Sequence, residues 1–399
     1  MAGEWREVPI GELAEIFDGP HATPLKTSTG PIFLGISNLS NGRIDLGNTE
    51  HLSEGDYKRW TRRVEPQAGD VVFSYETRLG EAGLIPSGLR CCLGRRMGLL
   101  RARSGKVDRR FLLYAYLGPH FQETLRARTI HGSTVDRIPL IDMPGFPIEV
   151  PESLDEQRAI AHILGTLDDK VELNRRINET LEAMARALFK SWFVDFDPAR
   201  AKAADLIRDG VLEIGDGYRA KNSEIGEPGL PFIRAGNLSN GFDTRGAEVL
   251  RQDSVAKAGR KLSRPGDVAF TSKGTVGRFA RVTEFTQPFV YSPQVCFWRS
   301  LDWERLQPAI LYCWMQSEDL KSQIDAVAGQ TDMAPYVSLR DQHTMEVPVF
   351  PESQNTIARH LDALLVRQAL AAEENRTLAA LRDILLPKLI SGELRVKDA

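Results

Sequence analysis

An internal duplication divides this chain of 399 residues into two halves of similar sequence. The segment Pro31–Gly42 (PIFLGISNLSNG) returns as Pro231–Gly241 (PFIRAGNLSNG). Shorter matches follow in the same order, each at an offset of 197 to 200 residues: Gly69–Ser74 with Gly266–Thr271, Gly132–Thr134 with Gly329–Thr331, Pro151–Ser153 with Pro351–Ser353, and Asn178–Leu181 with Asn375–Leu378. Solenoid repeats have periods of about 20–50 residues. A period of half the chain therefore indicates a two-part unit that is used twice.

Each copy of the unit has two parts of different texture. The first part is rich in glycine and proline and contains short apolar runs such as Asp70–Phe73 and Phe289–Tyr291, which is typical of short strands joined by turns. The second part contains almost no glycine or proline and predicts one long helix. The predicted order is a globular domain at residues 1–150, a long helix at 151–198, a second globular domain at 199–350, and a long helix with a C-terminal tail at 351–399.

Apolar residues of the two predicted long helices recur at alternating steps of four and three, the spacing of a coiled-coil seam. The first seam is Ile160, Leu164, Leu167, Val171, Asn174, Asn178, Leu181, Ala185, Leu188 and Trp192, and a shift of 197 residues gives Ile357, Leu361, Leu364, Gln368, Ala371, Asn375, Leu378, Arg382, Leu385 and Leu389. We expect Asn174, Asn178 and Asn375 to set the register, because a slipped pairing leaves an amide facing hydrocarbon. In the alternative interpretation, each helix packs on its own globular domain.

The whole-chain charge and the local charge point in opposite directions. A net charge of −3 and a pI near 6.2 argue against nucleic-acid binding, because such domains usually have a pI above about 9. However, residues 58–110 contain 13 Lys and Arg against five acidic residues, and residues 251–281 contain eight against two. A charge run is usually a solvated face, but two runs at matching positions of the repeat favour a surface that meets phosphates.

Motifs for membrane insertion and metal binding are missing from the sequence. No apolar run approaches the roughly 18 residues that a membrane span needs, and the polar start Met1–Glu7 predicts no signal peptide. The four cysteines have no metal-ligand spacing: Cys91, Cys92, Cys296 and Cys313. We expect them to be reduced and mostly buried, which suits a cytoplasmic protein.

The sequence contains no convincing active site among the known catalytic motifs. There is no GxxxxGK[ST] phosphate loop, no GxGxxG after a strand, no GxSxG and no HExxH. Asp168-Asp169-Lys170 contains a nuclease-like Asp-x-Lys, but it lies within a predicted helix, where a solvated charged face is the better interpretation. No residue is therefore assigned a catalytic or metal-binding role.

Several motifs, in this order within a duplicated chain, resemble the DNA-specificity (S) subunit of type I restriction–modification systems. The resemblance covers nearly the whole chain and is strongest in Pro151–Ala161 (PESLDEQRAIA), Leu188–Phe196 (LFKSWFVDF) and Leu385–Leu394 (LLPKLISGEL). The strands of the form Gly-Asp-Val-x-Phe at Gly69 and Gly266 also fit. Pro387 departs from a clean helical ending, and we expect it to kink or stop the second helix.

The resemblance implies an α+β fold in which two globular α/β target-recognition domains are separated by two long helices that form an antiparallel coiled coil with pseudo-two-fold symmetry. It also implies that each domain reads one half of a bipartite site in double-stranded DNA. The helices would act as a spacer and would dock two modification (methyltransferase) subunits, which bind S-adenosylmethionine, and restriction subunits would complete the complex. By the same resemblance, this chain would not itself be catalytic and would hold no cofactor. Two rival interpretations are a structural coiled-coil adaptor that binds only proteins and a self-contained enzyme, which would need a cofactor loop or nuclease box that the sequence does not show.

Candidate DNA-binding residues lie in the basic stretches and in polar loops whose side chains have forked or hydrogen-bonding ends, the chemistry that reads base edges. In the first repeat they are His21, Thr23, Arg62, Arg63, Ser74, Tyr75, Glu76, Arg78, Arg95 and Arg96. In the second repeat they are Tyr218, Arg219, Lys221, Asn222, Ser272, Lys273, Thr275, Arg278 and Arg281. For any single loop residue, an ordinary polar turn is an equally good interpretation. The loops differ between repeats while the framework agrees, as expected if the domains read different half-sites.

Overall fold

Two compact units make up the chain. The computed structural model describes residues 4–21, 23–47, 49–132, 135–194, 199–239, 241–328, 336–349 and 355–396. Unit 1 contains residues 1–172 and 376–399, and unit 2 contains residues 173–375. Each unit therefore combines one globular part with a portion of both long helices. The predicted domain boundaries follow the texture of the sequence instead, and they stay a prediction.

A four-stranded antiparallel sheet forms the centre of unit 1. Its strands lie in the order Ala14–Asp18, Met97–Ala102, Val71–Ser74 and Ala82–Leu84. Val71 and Phe73 pack into the core that contains the helix Arg109–Leu117. Val72 points to the opposite face and belongs to a second core, because successive side chains of a strand alternate. The apolar run of this strand is thus buried on both faces.

Smaller sheets and short helices surround the central sheet of unit 1. A three-stranded sheet has the order Glu50–Leu52, Lys26–Leu34 and Cys91–Leu93, and two-stranded sheets join Trp5–Pro9 with Pro147–Pro151 and Leu39–Ser40 with Arg43–Ile44. The helices are Ile10–Leu13, Glu54–Trp60, Arg109–Leu117 and Pro119–Ala127, with 3-10 turns at Ile36–Asn38 and Met143–Gly145. Asp108 caps the helix that follows it, since its carboxylate accepts the backbone N–H groups of Arg110 and Phe111 at 3.0 and 2.9 Å.

Unit 2 repeats the strand order of unit 1. Its central sheet has the order Leu212–Gly215, Val295–Ser300, Val268–Thr271 and Phe279–Arg281, its three-stranded sheet the order Val249–Arg251, Gly229–Ile233 and Val290–Tyr291, and its pairs are Arg200–Lys202 with Glu346–Pro348 and Leu238–Ser239 with Gly241–Phe242. The helices are Ala203–Arg208, Gln252–Ala258, Pro308–Met315, Glu318–Ala328 and Leu339–Thr344, with 3-10 turns at Asn222–Glu224, Ala235–Asn237 and Gly259–Lys261. The duplication predicted from sequence is therefore a duplication of topology.

The aspartate of each Gly-Asp-Val strand forms a buried ion pair. Asp70 accepts two hydrogen bonds from Arg101 at 3.0 and 2.7 Å. Asp267, at the matching position, accepts two from Arg299 at 2.7 and 2.8 Å and a third from the Tyr291 hydroxyl at 3.0 Å. Both arginines lie on the neighbouring strand of the central sheet. The pair therefore ties two strands together at the start of each apolar run.

Two helices of 36 residues each, Leu154–Phe189 and Asn355–Ile390, lie within the predicted long segments. In unit 1, Arg395 donates to Glu156 at 2.9 Å and Arg382 donates to Asp168 at 3.0 Å. Residue numbers rise along one segment and fall along the other, so the pairing is antiparallel. The first helix also buries Ile160 and Leu164 in the core of the globular part, so the two interpretations of the helices both hold within this unit.

The helix portions of unit 2 meet through amides and apolar side chains. Asn174 is fully buried, and its Nδ2 donates to Asn375 Oδ1 at 3.0 Å and to Glu374 at 2.7 Å. Ala185 and Leu361 lie in one core. Trp192, a predicted seam residue, is 42% exposed in a π-helical turn, Lys190–Val194, and so lies outside the seam.

Pro387 does not end the second long helix. The helix continues through it to Ile390, so of the expected kink or stop, the stop is wrong and the kink stays a prediction. The proline is in the last turn, where Leu389 and Ile390 are buried in the core of unit 1. Tertiary packing there offsets the lost backbone donor.

The four cysteines of the chain are all free and buried, as predicted. Burial raises the pKa of the Cys91 thiol to about 12 and that of Cys92 to about 12, so both remain thiols near neutral pH.

Among the helices of the described residues, none is both long enough and apolar enough to cross a membrane.

Candidate nucleic-acid interface

Asp18 organises the first polar loop of unit 1. It ends the strand Ala14–Asp18, and its carboxylate is 2.7 Å from His21 Nε2 and 3.0 Å from the Tyr75 hydroxyl, which donates to it. Arg63 approaches the same carboxylate at 3.8 Å. Burial, followed by the charge of Asp18, raises the pKa of Tyr75 well above its ordinary value, so this phenol stays a donor. One acid thus holds together three loops that are far apart in sequence.

An open cleft of about 590 Å³ lies between this loop and the basic segment that follows the helix Glu54–Trp60. Asp18–His21 line one side, and Arg59, Arg62 and Arg63 line the other with Trp60. Arg62 and Arg63 are exposed. Guanidinium groups around an open cleft can bind phosphate oxygens, often in pairs of hydrogen bonds. The structure therefore brings together His21, Arg62 and Arg63 of the predicted set.

The loop after the central strand of unit 1 is held by its own side chains. Arg96 Nε is 2.9 Å from Glu76, and Arg96 Nη1 donates to the Thr77 hydroxyl at 3.3 Å. Thr77 and Arg96 have φ values of +68° and +74°, a conformation that costs energy in a residue with a side chain. Arg78 pairs with Glu81 at 3.4 Å, and Arg95 is exposed. Of these residues, Arg78 and Arg95 leave charge available at the surface.

Asp216 of unit 2 matches Asp18 in its position in the repeat, and its carboxylate likewise contacts basic side chains. Lys261 Nζ donates to its carboxylate at 2.9 Å and to the Gly217 carbonyl at 2.7 Å, and Arg219 approaches it at 3.6 Å. Arg219 is mostly exposed, as are Lys221 and Asn222. Both units therefore use the acid at the end of the first strand of the central sheet to hold a basic loop.

Glu224 stabilises the same loop of unit 2 by accepting hydrogen bonds from three residues. It accepts from Lys257 Nζ at 2.9 Å, from the Lys221 backbone N–H at 3.0 Å and from the Tyr218 hydroxyl at 3.2 and 3.1 Å. The Lys221 N–H, followed by Lys257, lowers the pKa of Glu224 to about 2. Tyr218 is thus occupied within the protein, while Lys221 and Asn222 remain exposed.

Lys273 lies in the loop that follows the strand Val268–Thr271 of unit 2. Lys273 Nζ lies 4.7 Å from the centroid of the Tyr336 ring, and the two backbones form an isolated β-bridge. Thr275 and Arg278 are exposed, although Arg278 Nη1 also donates to the Leu238 carbonyl at 3.2 Å. A cation held over an aromatic ring is pre-positioned without being neutralised. Lys273 is therefore available to an acceptor outside the protein.

Four predicted residues do not fit the expectation that their side chains face DNA. Ser74 and Ser272 are buried: Ser74 donates to the Glu76 carbonyl at 2.8 Å, and Ser272 lies 3.3 Å from Cys296 Sγ. Tyr75 is buried against Asp18. The Arg281 side chain is 15% exposed and pairs with Asp362 of the second long helix at 3.0 Å. Thr23, by contrast, is exposed.

Sequence reasoning did not single out the groups that organise these surfaces. Asp18, Asp216 and Tyr336 are not among the predicted DNA-binding residues. A signal for the two acids was present, because they are 198 residues apart and end the similar segments Ala14–Asp18 (AEIFD) and Leu212–Asp216 (LEIGD). No comparable signal marks Tyr336, since its partner is 63 residues away in sequence.

Known proteins with similar sequences are specificity subunits of type I restriction enzymes. Residues 2–183 match the family model described as the type I restriction modification DNA specificity domain. Over 387 residues the chain is 27% identical to the type I restriction enzyme MjaIX specificity subunit of Methanocaldococcus jannaschii, with 89% of this chain and 86% of that protein covered. Over most of its length the chain is therefore similar to a type I restriction specificity subunit. The resemblance found in the motifs is therefore confirmed.

Two further proteins are similar to this chain. The type I restriction enzyme HindI specificity subunit of Haemophilus influenzae is 49% identical over 78 residues, which are 20% of this chain and 17% of that protein. The crystal structure of a type I restriction–modification system S subunit from M. genitalium has a TM-score of 0.63 at 18% identity, covering 100% of this chain and 97% of the other. The predicted fold class is confirmed by this likeness.

The similarity supports a general role for the chain. The matching family model is described as a DNA specificity domain, and the similar proteins are named specificity subunits of restriction enzymes. The prediction of a DNA-recognition subunit without its own catalytic function is therefore confirmed at this level. The individual DNA-contacting residues stay predictions.

Proposed function

We propose that this specificity subunit reads a bipartite site in double-stranded DNA, with unit 1 contacting one half and unit 2 the other. The observation that carries the proposal is the matched pair of basic surfaces, each organised by an acid at the end of a matching strand, Asp18 and Asp216. The loops around these acids differ in sequence. Different loops on one framework are what two different half-sites require.

The long helices are proposed to act as a spacer between the two reading surfaces. Each helix contains 36 residues, which corresponds to about 54 Å at a rise of about 1.5 Å per residue. Half-sites separated by one to one and a half turns of duplex, at about 34 Å per turn, would suit a spacer of this length. The buried amide contact between Asn174 and Asn375 supports a fixed register, because slippage would leave both amides unpaired.

The helices are also proposed to dock two modification (methyltransferase) subunits that bind S-adenosylmethionine, with restriction subunits completing a cytoplasmic complex. Large apolar side chains on the helices are 41–58% exposed, and they are Leu173, Met184, Val366, Leu370, Leu381 and Ile384. Exposed apolar side chains of this size are suited to burial against a protein partner.

Mapping methylated adenines tests the proposal directly. We expect the chain, co-produced with its modification partner, to direct methylation to one bipartite motif in genomic DNA. Arg62→Ala should weaken binding to all duplexes and lower the slope of log K against log salt by about 0.9, the loss of one phosphate contact. Arg78→Ala and Lys273→Ala should each relax sequence choice in one half of the motif only.

The same experiment separates DNA recognition from the rival function of a protein-only adaptor. Methylation without a bipartite motif, together with binding that does not weaken as salt rises, would contradict the proposal and favour the adaptor. Glu248→Gln provides the matched control. It removes an exposed charge that pairs with Arg234 at 2.5 Å, outside the predicted set, and should leave both halves of the motif unchanged.

A further inference from the structure

Asp168 lies on the first long helix, where it joins three other elements of unit 1. Its Oδ1 accepts hydrogen bonds from Arg43 and Arg382, each at 3.0 Å, and its Oδ2 accepts one from the Tyr114 hydroxyl at 2.8 Å. Arg43 belongs to the strand Arg43–Ile44, Tyr114 to the helix Arg109–Leu117, and Arg382 to the second long helix. The sequence predicted a solvated charged face here, but the Asp168 side chain is only 15% exposed.

The next residue strengthens the same junction. Asp169 accepts two hydrogen bonds from Arg110 at 2.9 and 2.6 Å, and Arg110 also donates to the Gly165 carbonyl at 2.9 Å. Burial, followed by the charge of Asp168, raises the pKa of Tyr114 well above its ordinary value, so its hydroxyl remains a donor. Charge-assisted bonds of this kind are short and directional. They fix an orientation as well as a distance.

A chain of contacts connects Asp168 to the predicted recognition loop of unit 1. Arg43 is in the hairpin that also contains Asn41. The Asn41 backbone N–H donates to Glu81 at 2.9 Å, and Glu81 pairs with Arg78, a predicted DNA contact, at 3.4 Å. The loop that carries Arg78 is therefore tied through the hairpin to the first long helix.

Unit 2 uses apolar residues at the matching helix positions. The 197-residue shift that aligns the two repeats matches Leu365 with Asp168 and Ala185 with Arg382. Leu365 is 7% exposed and Ala185 is 3% exposed, and both lie in the core of unit 2. Apolar packing therefore suffices to bury a helix at this position. A polar cluster there adds orientation, because apolar contact is non-directional.

We propose that Asp168 is a positioning residue that fixes how the recognition loops of unit 1 are seated on the long helices, and thereby how strictly the spacer of the DNA site is selected. This inference rests on the proposed function, since it presupposes a bipartite site. Changing the spacer by one base pair moves a half-site by about 3.4 Å along the duplex. A unit held by three directional bonds resists a movement of that size more than a unit held by apolar packing alone.

The test transplants the residues of unit 2 into unit 1. Asp168→Leu with Arg382→Ala replaces the polar cluster by its apolar counterparts, and Asp168→Asn is a second variant that keeps the size of the side chain. Each full-length variant is co-produced with the modification partner, and methylated adenines are mapped as for the unmodified chain. Thermal unfolding is measured in parallel. Glu182→Gln, which breaks an exposed ion pair with Arg186 on the same helix, is the matched control.

We expect both variants to recognise the same bases in each half-site but to accept spacers one base pair longer or shorter. The methylation ratio of altered to original spacer should rise about tenfold, equivalent to about 1.4 kcal/mol, while the control remains unchanged. A folded variant that keeps the original spacer ratio would overturn the inference and leave the proposed function intact. A wild-type chain with no bipartite motif would instead overturn the proposed function.

Discussion

Units 1 and 2 have the same strand order but hold the loop after the central strand differently. In unit 1 the tip residue Thr77 adopts a φ of +68°, supported by Arg96. In unit 2 the matching residue is Gly274, with a φ of +78°, and the loop is braced instead by Lys273 on Tyr336. The duplicated framework has therefore kept the backbone path of this loop. The side chains that stabilise the path, and those it leaves exposed, have diverged.

The buried ion pairs differ between the units in degree rather than in kind. The side chains of Asp267 and Arg299 are 0% and 5% exposed, whereas those of Asp70 and Arg101 are 5% and 28% exposed. Asp267 also has the Tyr291 hydroxyl as a donor. An arginine that reaches water can be rehydrated when its partner is lost, but an enclosed one cannot. The same motif should therefore matter more for stability in unit 2.

The largest expected effect compares these two pairs. Asp267→Asn leaves the enclosed Arg299 with only the more distant Glu213 carboxylate, at 3.3 Å, and we expect the free energy of unfolding of unit 2 to fall by about 3–5 kcal/mol. Asp70→Asn should cost less, about 1–3 kcal/mol, because Arg101 can be rehydrated. Urea denaturation followed by tryptophan fluorescence measures both changes. Equal losses would break the comparison, and Asp253→Asn, in an exposed pair with Arg251, should change little.

A smaller effect is expected from exchanging the tip residues of the two loops. Gly274→Thr introduces a β-branched side chain at positive φ and should destabilise unit 2 by about 1–2 kcal/mol. Thr77→Gly removes the same strain from unit 1 but also removes the contact with Arg96 and adds chain entropy in the unfolded state. We therefore expect a change of less than about 1 kcal/mol. Thermal unfolding of the two variants is the measurement, and a large loss with Thr77→Gly would show that Arg96 dominates the loop.

The repeat allowed the framework to be predicted but not the surroundings of individual polar residues. The Gly-Asp-Val strands and the seam asparagine Asn174 follow from local patterns and the offset of the two copies. Ser74 and Ser272 were predicted to be DNA-binding loop residues, because a strand buried on both faces has no polar alternation that marks where its buried stretch ends. Their burial depends on how neighbouring segments pack over the end of the strand.

Charged residues show the same limit more clearly. Asp168 was interpreted as part of a solvated helix face, which is the usual position for a charged triplet in a long helix. Its partner Arg43 is 125 residues away and Arg382 is 214 residues away. Contacts at such separations depend on the tertiary arrangement within the unit, which local sequence patterns do not record. The 197-residue shift between the repeats aligns Asp168 with Leu365 and Arg382 with Ala185. This exchange of charged for apolar residues was the available sign in the sequence that the two units differ here.

The smallest effect concerns the pH dependence of the two polar loops. Unit 2 uses Glu224, whose pKa of about 2 is lowered from 4.5 by the Lys221 N–H and Lys257, whereas unit 1 uses Asp18 with His21 and Tyr75. A lowered carboxyl pKa contributes stability that is fully present above about 4.5 and is lost as the pH falls towards 2. As the pH falls below about 4.5, Glu224 should therefore stay ionised until the pH approaches 2, and its hydrogen bonds should keep the loop in place over that range.

Lys257→Met sharpens this comparison. Removing the ammonium group should raise the pKa of Glu224, but not to its ordinary value, because the Lys221 backbone N–H still donates to the carboxylate. A carbon-detected NMR titration of the Glu224 carboxyl measures the change. Arg251→Met is the control, since Arg251 pairs with Asp253 rather than with Glu224. An unchanged Glu224 midpoint in Lys257→Met would mean that the Lys221 backbone N–H and the Tyr218 hydroxyl set the pKa without the ammonium group.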